Sequence, residues 1–353
     1  IVSSSSGYDI IQLCNSVQTI CTNCNTRTAG TFSPGIEVYT YEGNVDLSSL
    51  PTACCNVILG ANTCCRNGAT TTIIPGSYQT VCIVNRCQST CNSAPIFTHD
   101  AIPLICAGID IVYNLGAMDP DGDSLSYAFG ESYQGINSVV SYVPPFRKTN
   151  PFPYLNSPDS VSTYPGGLRI DPITGDIMFR AVGVFVTFLV IEVTQWKLVS
   201  GVRVNVGITR RDVQFQTNLC LPNKSPIIKV YKNNLLQYGV NNYIATAGSQ
   251  LCLDIVTEDQ FQLPNSTNGN VTILADTTDM IWNNPSLYFS VMGNATFTRN
   301  YILSQRTING PKADSLKFCW TPPLSAIRQE PYLFTVKGTD RTCVKAFVIR
   351  CIT

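Results

Sequence analysis

Short runs of alternating apolar and polar residues, broken by Gly, Pro, Asn and Ser clusters, recur along the chain and predict β-strands throughout. Ile36-Glu37-Val38-Tyr39-Thr40-Tyr41 and Cys82-Ile83-Val84 read as brief strands near the start. Asp110-Ile111-Val112-Tyr113 is another, and residues 168–179 read as a hairpin around a Pro172-x-x-Gly175 turn. Residues 184–196 and 202–215 predict two long strands joined at Ser200-Gly201. Val202, Val204, Val206 and Ile208 share one parity while Val213 and Phe215 take the other, which predicts a bulge near Arg210-Arg211. Four further runs follow, at 251–256, 315–320, 332–337 and 345–350. Between the early strands and the long pair, residues 128–165 are rich in Pro, Ser, Tyr and Asn. Such a segment is compatible with a binding surface, with disorder or with plain packing.

A chain of 353 residues holds two or three domains of ordinary size. The expected architecture is all-β: a disulfide-rich β domain at 1–93, a cadherin- or Ig-like β-sandwich at 94–216 and a second Ig-like β-sandwich at 217–353. Asn92-Ser93-Ala94-Pro95 is the first linker. Ten of the sixteen cysteines precede it: Cys14, Cys21, Cys24, Cys54, Cys55, Cys64, Cys65, Cys82, Cys87 and Cys91. A core so interrupted is small, so disulfides at about 2–4 kcal/mol each are expected to hold it. Strand neighbours point to opposite faces, so the vicinal pairs Cys54-Cys55 and Cys64-Cys65 are each expected to reach two different partners. A Cys106–Cys220 bond would leave even counts on either side.

Composition narrows the class. Charged residues are 13%, Gly and Pro number 24 and 21, and Tyr and Phe are plentiful, which suits a turn-rich β protein. The 23 basic and 23 acidic residues cancel without a basic run, so nucleic acid and anionic membrane are poor partners. Sixteen cysteines with one histidine point to an oxidising, extracellular setting. Zinc knuckles need paired CxxC units, and Cys21-x-x-Cys24 stands alone. The most apolar run, 181–193, is interrupted by Gly183, Thr187 and Glu192 and is too short to span a bilayer. The chain begins at Ile1, as expected of a processed protein or a piece of a longer one.

The candidate chemistry sits in Asp119-Pro120-Asp121-Gly122-Asp123. Three carboxylates folded together by a Pro/Gly turn repel each other unless a cation lies among them, and Ca²⁺ accepts six to eight oxygens in flexible geometry. The competing reading is a solvated acidic turn. An EF-hand is excluded, because its sixth and twelfth positions hold Ser124 and Gly130 instead of Gly and Glu. Glu192 is the lone charge in an apolar strand, wanting a partner or an ion, and is the fourth candidate metal ligand. Asn92 and Asp100 beside the linker are further candidates. Catalysis has little to stand on: the single His99 lies near the linker without a Gly-x-Ser-x-Gly turn, so no enzyme activity is expected.

Val38-Tyr39-Thr40-Tyr41-Glu42-Gly43, Cys54-Cys55 and Cys64-Cys65-Arg66-Asn67 resemble the cysteine-rich module of very large Bacteroidetes surface proteins, often labelled gliding-motility-associated or adhesin-like. Cys106-Ala107-Gly108, the acidic turn, Ile170-Asp171-Pro172-Ile173-Thr174-Gly175 and Arg211-Asp212-Val213-Gln214-Phe215 are similar to the module that follows in them. Phe318-Cys319-Trp320-Thr321-Pro322 and Gly338-Thr339-Asp340-Arg341-Thr342-Cys343 look like their Ig-like modules. The third domain has Glu258-Asp259-Gln260 where a three-Asp turn would stand, which counts against a second Ca²⁺ site. The resemblance implies type IX secretion, display at the cell surface, and a structural or adhesive role binding other copies or cell-surface and glycan targets. It also implies O-glycosylation at Asp-Ser/Thr-apolar triplets, of which Asp123-Ser124-Leu125, Asp159-Ser160-Val161 and Asp314-Ser315-Leu316 have the form. The sequons at Asn265, Asn270 and Asn294 mean little in a bacterial host. A second reading is a carbohydrate-binding accessory module with Trp196, Trp282 and Trp320 as a sugar platform.

Overall fold

The computed structural model describes residues 36–89, 91–101, 103–158, 163–219, 225–237, 242–258, 279–282, 296–300, 313–327, 331–339 and 347–353, with the backbone of 2–3 and 8–9. Cys14, Cys21, Cys24, Cys220, Cys343, Asp159 and the three sequon asparagines lie outside them. Strands make up the regular structure of the described residues, apart from a 3₁₀ turn at Leu324–Ala326. The protein is all-β, as the alternation predicts.

The central sheet runs in the order Ser124–Gly130, Val186–Val199, Val202–Asn218, Tyr78–Asn85, Asn56–Thr63, with Leu104–Cys106 parallel to the end of Val202–Asn218. A smaller sheet of Arg169–Ile170, Ile177–Arg180 and Asp110–Tyr113 completes the sandwich. The long pair turns at Ser200 and Gly201, both at positive φ, as a tight hairpin requires. The bulge lies elsewhere than expected. Gln195 faces Gly207 and Trp196 faces Asn205, so Val206 is the extra residue and the strand continues in register through Arg210 and Arg211. Val206 is fully buried, and the buried apolar positions further on, Val213 and Phe215, take the opposite parity.

Sheet pairing crosses the expected boundary at 93, because Val81–Val84 bonds to Gly207–Arg210. The hairpin of Asn56–Thr63 and Tyr78–Asn85 thus extends the sandwich sheet, since its alternating strand matches the free edge of Val202–Asn218. The vicinal cysteines also depart from expectation. Cys55 bonds Cys87, while Cys64 and Cys65 bond each other. They follow the end of the strand at Thr63, so strand alternation does not separate them. Cys106 is disulfide-bonded.

Tyr113, Phe152, Phe179 and Phe215 fill the sandwich core. Phe152 stacks on Phe185 at 4.9 Å and meets Phe179 edge-on at 5.0 Å. It comes from the long 128–165 segment, so that segment plugs the core at Phe152 and Tyr154, each such burial contributing about 1.5–3 kcal/mol. Gly175 closes the Asp171–Asp176 turn with φ +76, and a Cβ there would lie 2.8 Å from the Tyr127 ring. The four downstream runs form the strands Leu251–Glu258, Ala313–Trp320, Phe334–Thr339 and Phe347–Ile352, around a separate core of Leu253, Ile255, Leu316, Phe318 and Trp320. Cys252 and Cys319 face each other across two of these strands and are bonded. The two sandwiches meet at Asp176, whose Oδ1 accepts the Cys351 N–H at 3.1 Å and the Asn114 amide at 2.8 Å. His99 Nε2 approaches Thr335 Oγ1 at 3.5 Å in the same seam.

Candidate metal centre

The turn Asp119–Asp123 brings three carboxylates together. Asp119, Asp121 and Asp123 each offer an oxygen, and these lie within 4.8 Å of one another. Two Ca–O bonds of about 2.3–2.6 Å each span that distance. Local chemistry builds the turn: Asp119 Oδ1 accepts the N–H groups of Asp121 (2.8 Å) and Asp123 (3.2 Å), and Gly122 supplies the positive φ of +82.

Two neighbouring segments hold the turn in place. Ser93 donates its N–H to Asp121 Oδ2 at 2.5 Å and its hydroxyl to Oδ1 at 3.1 Å, tying the linker to the turn. Gln195, buried in the central sheet, donates Nε2 to Asp119 Oδ2 at 2.5 Å and to the Ser93 carbonyl at 2.6 Å. Its Oε1 accepts from Asn92 Nδ2 at 3.3 Å. The bulge at Val206 places Gly207 beneath this carboxamide, and a Cβ on Gly207 would collide with Gln195 Oε1. Gln195 is the site residue that alternation alone does not reveal. Its signal is a carboxamide in the midst of an apolar strand, opposite a glycine.

The electrostatics of the cluster are unfavourable as it stands. Burial pushes the Asp119 pKa above the usual carboxylate range, against the lowering pull of the hydrogen bonds it accepts from Gln195, Asp123 and Asp121. Asp123 is also raised, by burial first and by the charge of Asp119 second. The Asp123 side chain is 8% exposed; its Oδ2 makes no hydrogen bond and has Lys197 Nζ at 3.7 Å. Asn92 Oδ1, on the side chain whose Nδ2 donates to Gln195, is a second buried acceptor without a hydrogen-bond donor. Crowded carboxylates and orphaned buried oxygens are the donor set of a hard cation, and they fit Ca²⁺.

Other candidates fall outside the cluster. Glu192 faces Arg210 across the sheet and pairs with it at 2.8 Å. Trp196, not Glu192, is level with Ser124 at the end of the turn, which sets Glu192 about 13 Å further along the strand. Its charge is answered by a partner residue, and it stands outside the Asp119–Asp121–Asp123 cluster. Asp100 is exposed and uses its main-chain oxygen to accept from Tyr113 Oη at 2.5 Å. Glu258 pairs with Lys229 at 2.6 Å, while Asp259 lies outside the described residues.

A second charge centre was not anticipated. Arg66, directly after the vicinal cysteines, is buried and pairs with Asp212 at 2.6 Å. Its guanidinium also donates to Ser132 Oγ (2.8 Å), to the Tyr133 carbonyl (2.9 Å) and to the Ser77 carbonyl. Burial raises the Asp212 pKa against the opposing pull of Arg66. Arg66 and Asp212 both stand in motifs noted above, yet 146 residues of separation hide their meeting.

Among the described side chains, Trp196 and Trp320 do not form a shared platform. Trp320 is buried in the last core, whereas Trp196 donates to Ser126 Oγ at 2.7 Å under the Arg203 guanidinium. Of Trp282 only the backbone is described. Among the described residues no helix is long and apolar enough to cross a membrane.

No protein-family model matches this chain, and no curated protein does. Among solved structures it is similar to human protocadherin-24 EC1-2 at 14% identity, covering 74% of this chain and 94% of that one with a TM-score of 0.20. The sialic acid binding region of Streptococcus sanguinis SK1 adhesin, bound to 3'sLn, gives 12% identity, 73% and 77% coverage and a TM-score of 0.22. The four N-terminal Ig domains of Dscam1 isoform 7.44 give 8%, 78% and 54%, with a TM-score of 0.19. At such scores these likenesses carry no argument, and the all-β assignment rests on the strands themselves.

Proposed function

We propose that this chain is a structural or adhesive segment of a long extracellular surface protein, braced by Ca²⁺ at Asp119, Asp121 and Asp123. The observation that carries this reading is the tie between the acidic turn, the Asn92-Ser93 linker and Gln195. When bound, the cation supplies positive charge to a cluster that lacks it. The chain's own residues then do the mechanical work: Ser93 and Gln195 fix the turn against the sheet, so the cysteine-bearing hairpin and the sandwich move as one piece. Disulfides at Cys55–Cys87 and Cys252–Cys319 support an oxidising location outside the cell. Export by the type IX route and display on the cell, as in the surface proteins the sequence resembles, belong to the same proposal.

The role proposed is non-catalytic. His99 is 8% exposed and burial holds its pKa down at about 3, which suits a packed seam residue better than a proton carrier. Isothermal titration of the decalcified full chain tests the metal: one Ca²⁺ per chain is expected, with binding abolished in Asp121→Asn. No heat and no retained Ca²⁺ at millimolar concentration would remove the brace from the account.

A further inference from the structure

The central sheet has two edges, and they are treated differently. At one edge Ser124–Gly130 is partly covered, because Tyr127 donates its N–H to the Pro172 carbonyl at 3.0 Å. At the other, Asn56–Thr63 pairs with Tyr78–Asn85 in eight unbroken steps, and among the described residues nothing pairs with its outer side. This strand, Asn-Val-Ile-Leu-Gly-Ala-Asn-Thr, has no Lys, no Pro, no charge and no bulge. Those are the devices that keep sheet edges from pairing. Ile58 is 59% exposed on it, and only Val57 is buried.

We propose that this edge pairs with the same edge of a second copy, antiparallel about a two-fold axis normal to the sheet. Such an axis keeps each face of the sheet on its own side, so only residues of equal parity can stand opposite each other. The longest overlaps this allows centre on Leu59 or on Gly60. In the first, Asn56 faces Asn62, Val57 faces Ala61 and Ile58 faces Gly60 of the second copy. No like charges meet in either register, so the strand is complementary to itself. The sheet then continues through both copies. The contact is short, at the low end of interface sizes, so a single pair associates weakly and an array of such modules associates strongly. The inference rests on the structural reading above and names its partner as another copy of this chain.

Sedimentation equilibrium on the calcium-loaded full chain tests it. Reversible dimerisation is expected, weakened about tenfold or more by Ile58→Lys and unchanged by Ile58→Val. A wild-type chain that stays monomeric at every concentration overturns the proposal, as does an Ile58→Lys chain that dimerises undiminished. Hydrogen exchange on the wild type keeps the test independent of how the variants fold. Protection of amides within 56–63 should rise with protein concentration, and protection that ignores concentration also overturns the pairing. Calcium binding is read separately, so a failed edge leaves the brace standing and a failed brace leaves the edge standing.

Discussion

Two charge centres flank the same pair of long strands, and they are built on opposite principles. At Arg66–Asp212 a cation and an anion are buried together, with three further acceptors around the guanidinium. At Asp119–Asp121–Asp123 three anions share a turn, with Lys197 3.7 Å from one of them. The first joint balances its charge within the chain, leaving only Arg66 Nε without a hydrogen bond among its guanidinium nitrogens; the second is short of positive charge. A buried pair can thus hold the hairpin to the sandwich without an added ion, whereas the acidic turn, tied to the linker by Ser93 and Gln195, is the joint that the proposed Ca²⁺ would strengthen. With the proposed calcium brace, the protein would have one permanent seam and one conditional seam.

That contrast can be broken by substitution. Arg66→Met should cost the most, about 3–5 kcal/mol in chemical unfolding, because it strands the Asp212 carboxylate in a dry site. The double change Arg66→Met with Asp212→Leu should recover most of that loss, since an apolar pair leaves no buried charge. If the double variant is as unstable as the single one, the pair is not the source of the effect. The acidic turn ranks second. Free Ca²⁺ at about a hundredfold its dissociation constant contributes about 2.7 kcal/mol, all of it lost on chelation. Asp119→Asn should flatten that dependence; in chelator it relieves one crowded charge but sets an amide NH₂ against the Gln195 Nε2 donor, so its calcium-free stability should fall below the wild type's by about 1 kcal/mol.

The third effect is smaller and depends on acidity. His99 has a folded pKa near 3 against about 6.5 when unfolded, so the unfolded chain binds the extra proton between those values. Stability is therefore fully present above about pH 6.5 and falls as the pH drops, by about 2 kcal/mol at about pH 5. His99→Phe should remove that slope from pH-dependent melting curves; an unchanged slope would assign it to other groups. Least affected should be Glu192→Gln, at about 1 kcal/mol or less for a partly exposed pair with Arg210, with calcium affinity untouched. A large loss of calcium affinity there would return Glu192 to the site.

Local signals were legible in the sequence and long-range ones were not. The acidic turn, the 168–179 hairpin and the Ser200-Gly201 turn follow from adjacent residues and are all present. The bulge was foreseen from a parity change but misplaced, because exposed Val202 carries no facing information and the true slip sits at buried Val206. Glu192 was readable as a charge in need of a partner, but which partner depended on strand register. The Arg66–Asp212 joint and the Gln195 clasp join residues far apart in the chain, and only the folded sheet brings them into contact. The cysteine count suggested a separate first domain, although the Tyr78–Asn85 strand pairs directly into the sandwich sheet.

The conditional seam is tested most directly by thermal unfolding of the wild type and Asp119→Asn, each with calcium and with chelator. The wild type should melt several degrees higher with calcium, and the variant should melt at the same temperature in both. Coincident wild-type curves in calcium and chelator would contradict the account, leaving the three carboxylates a solvated turn.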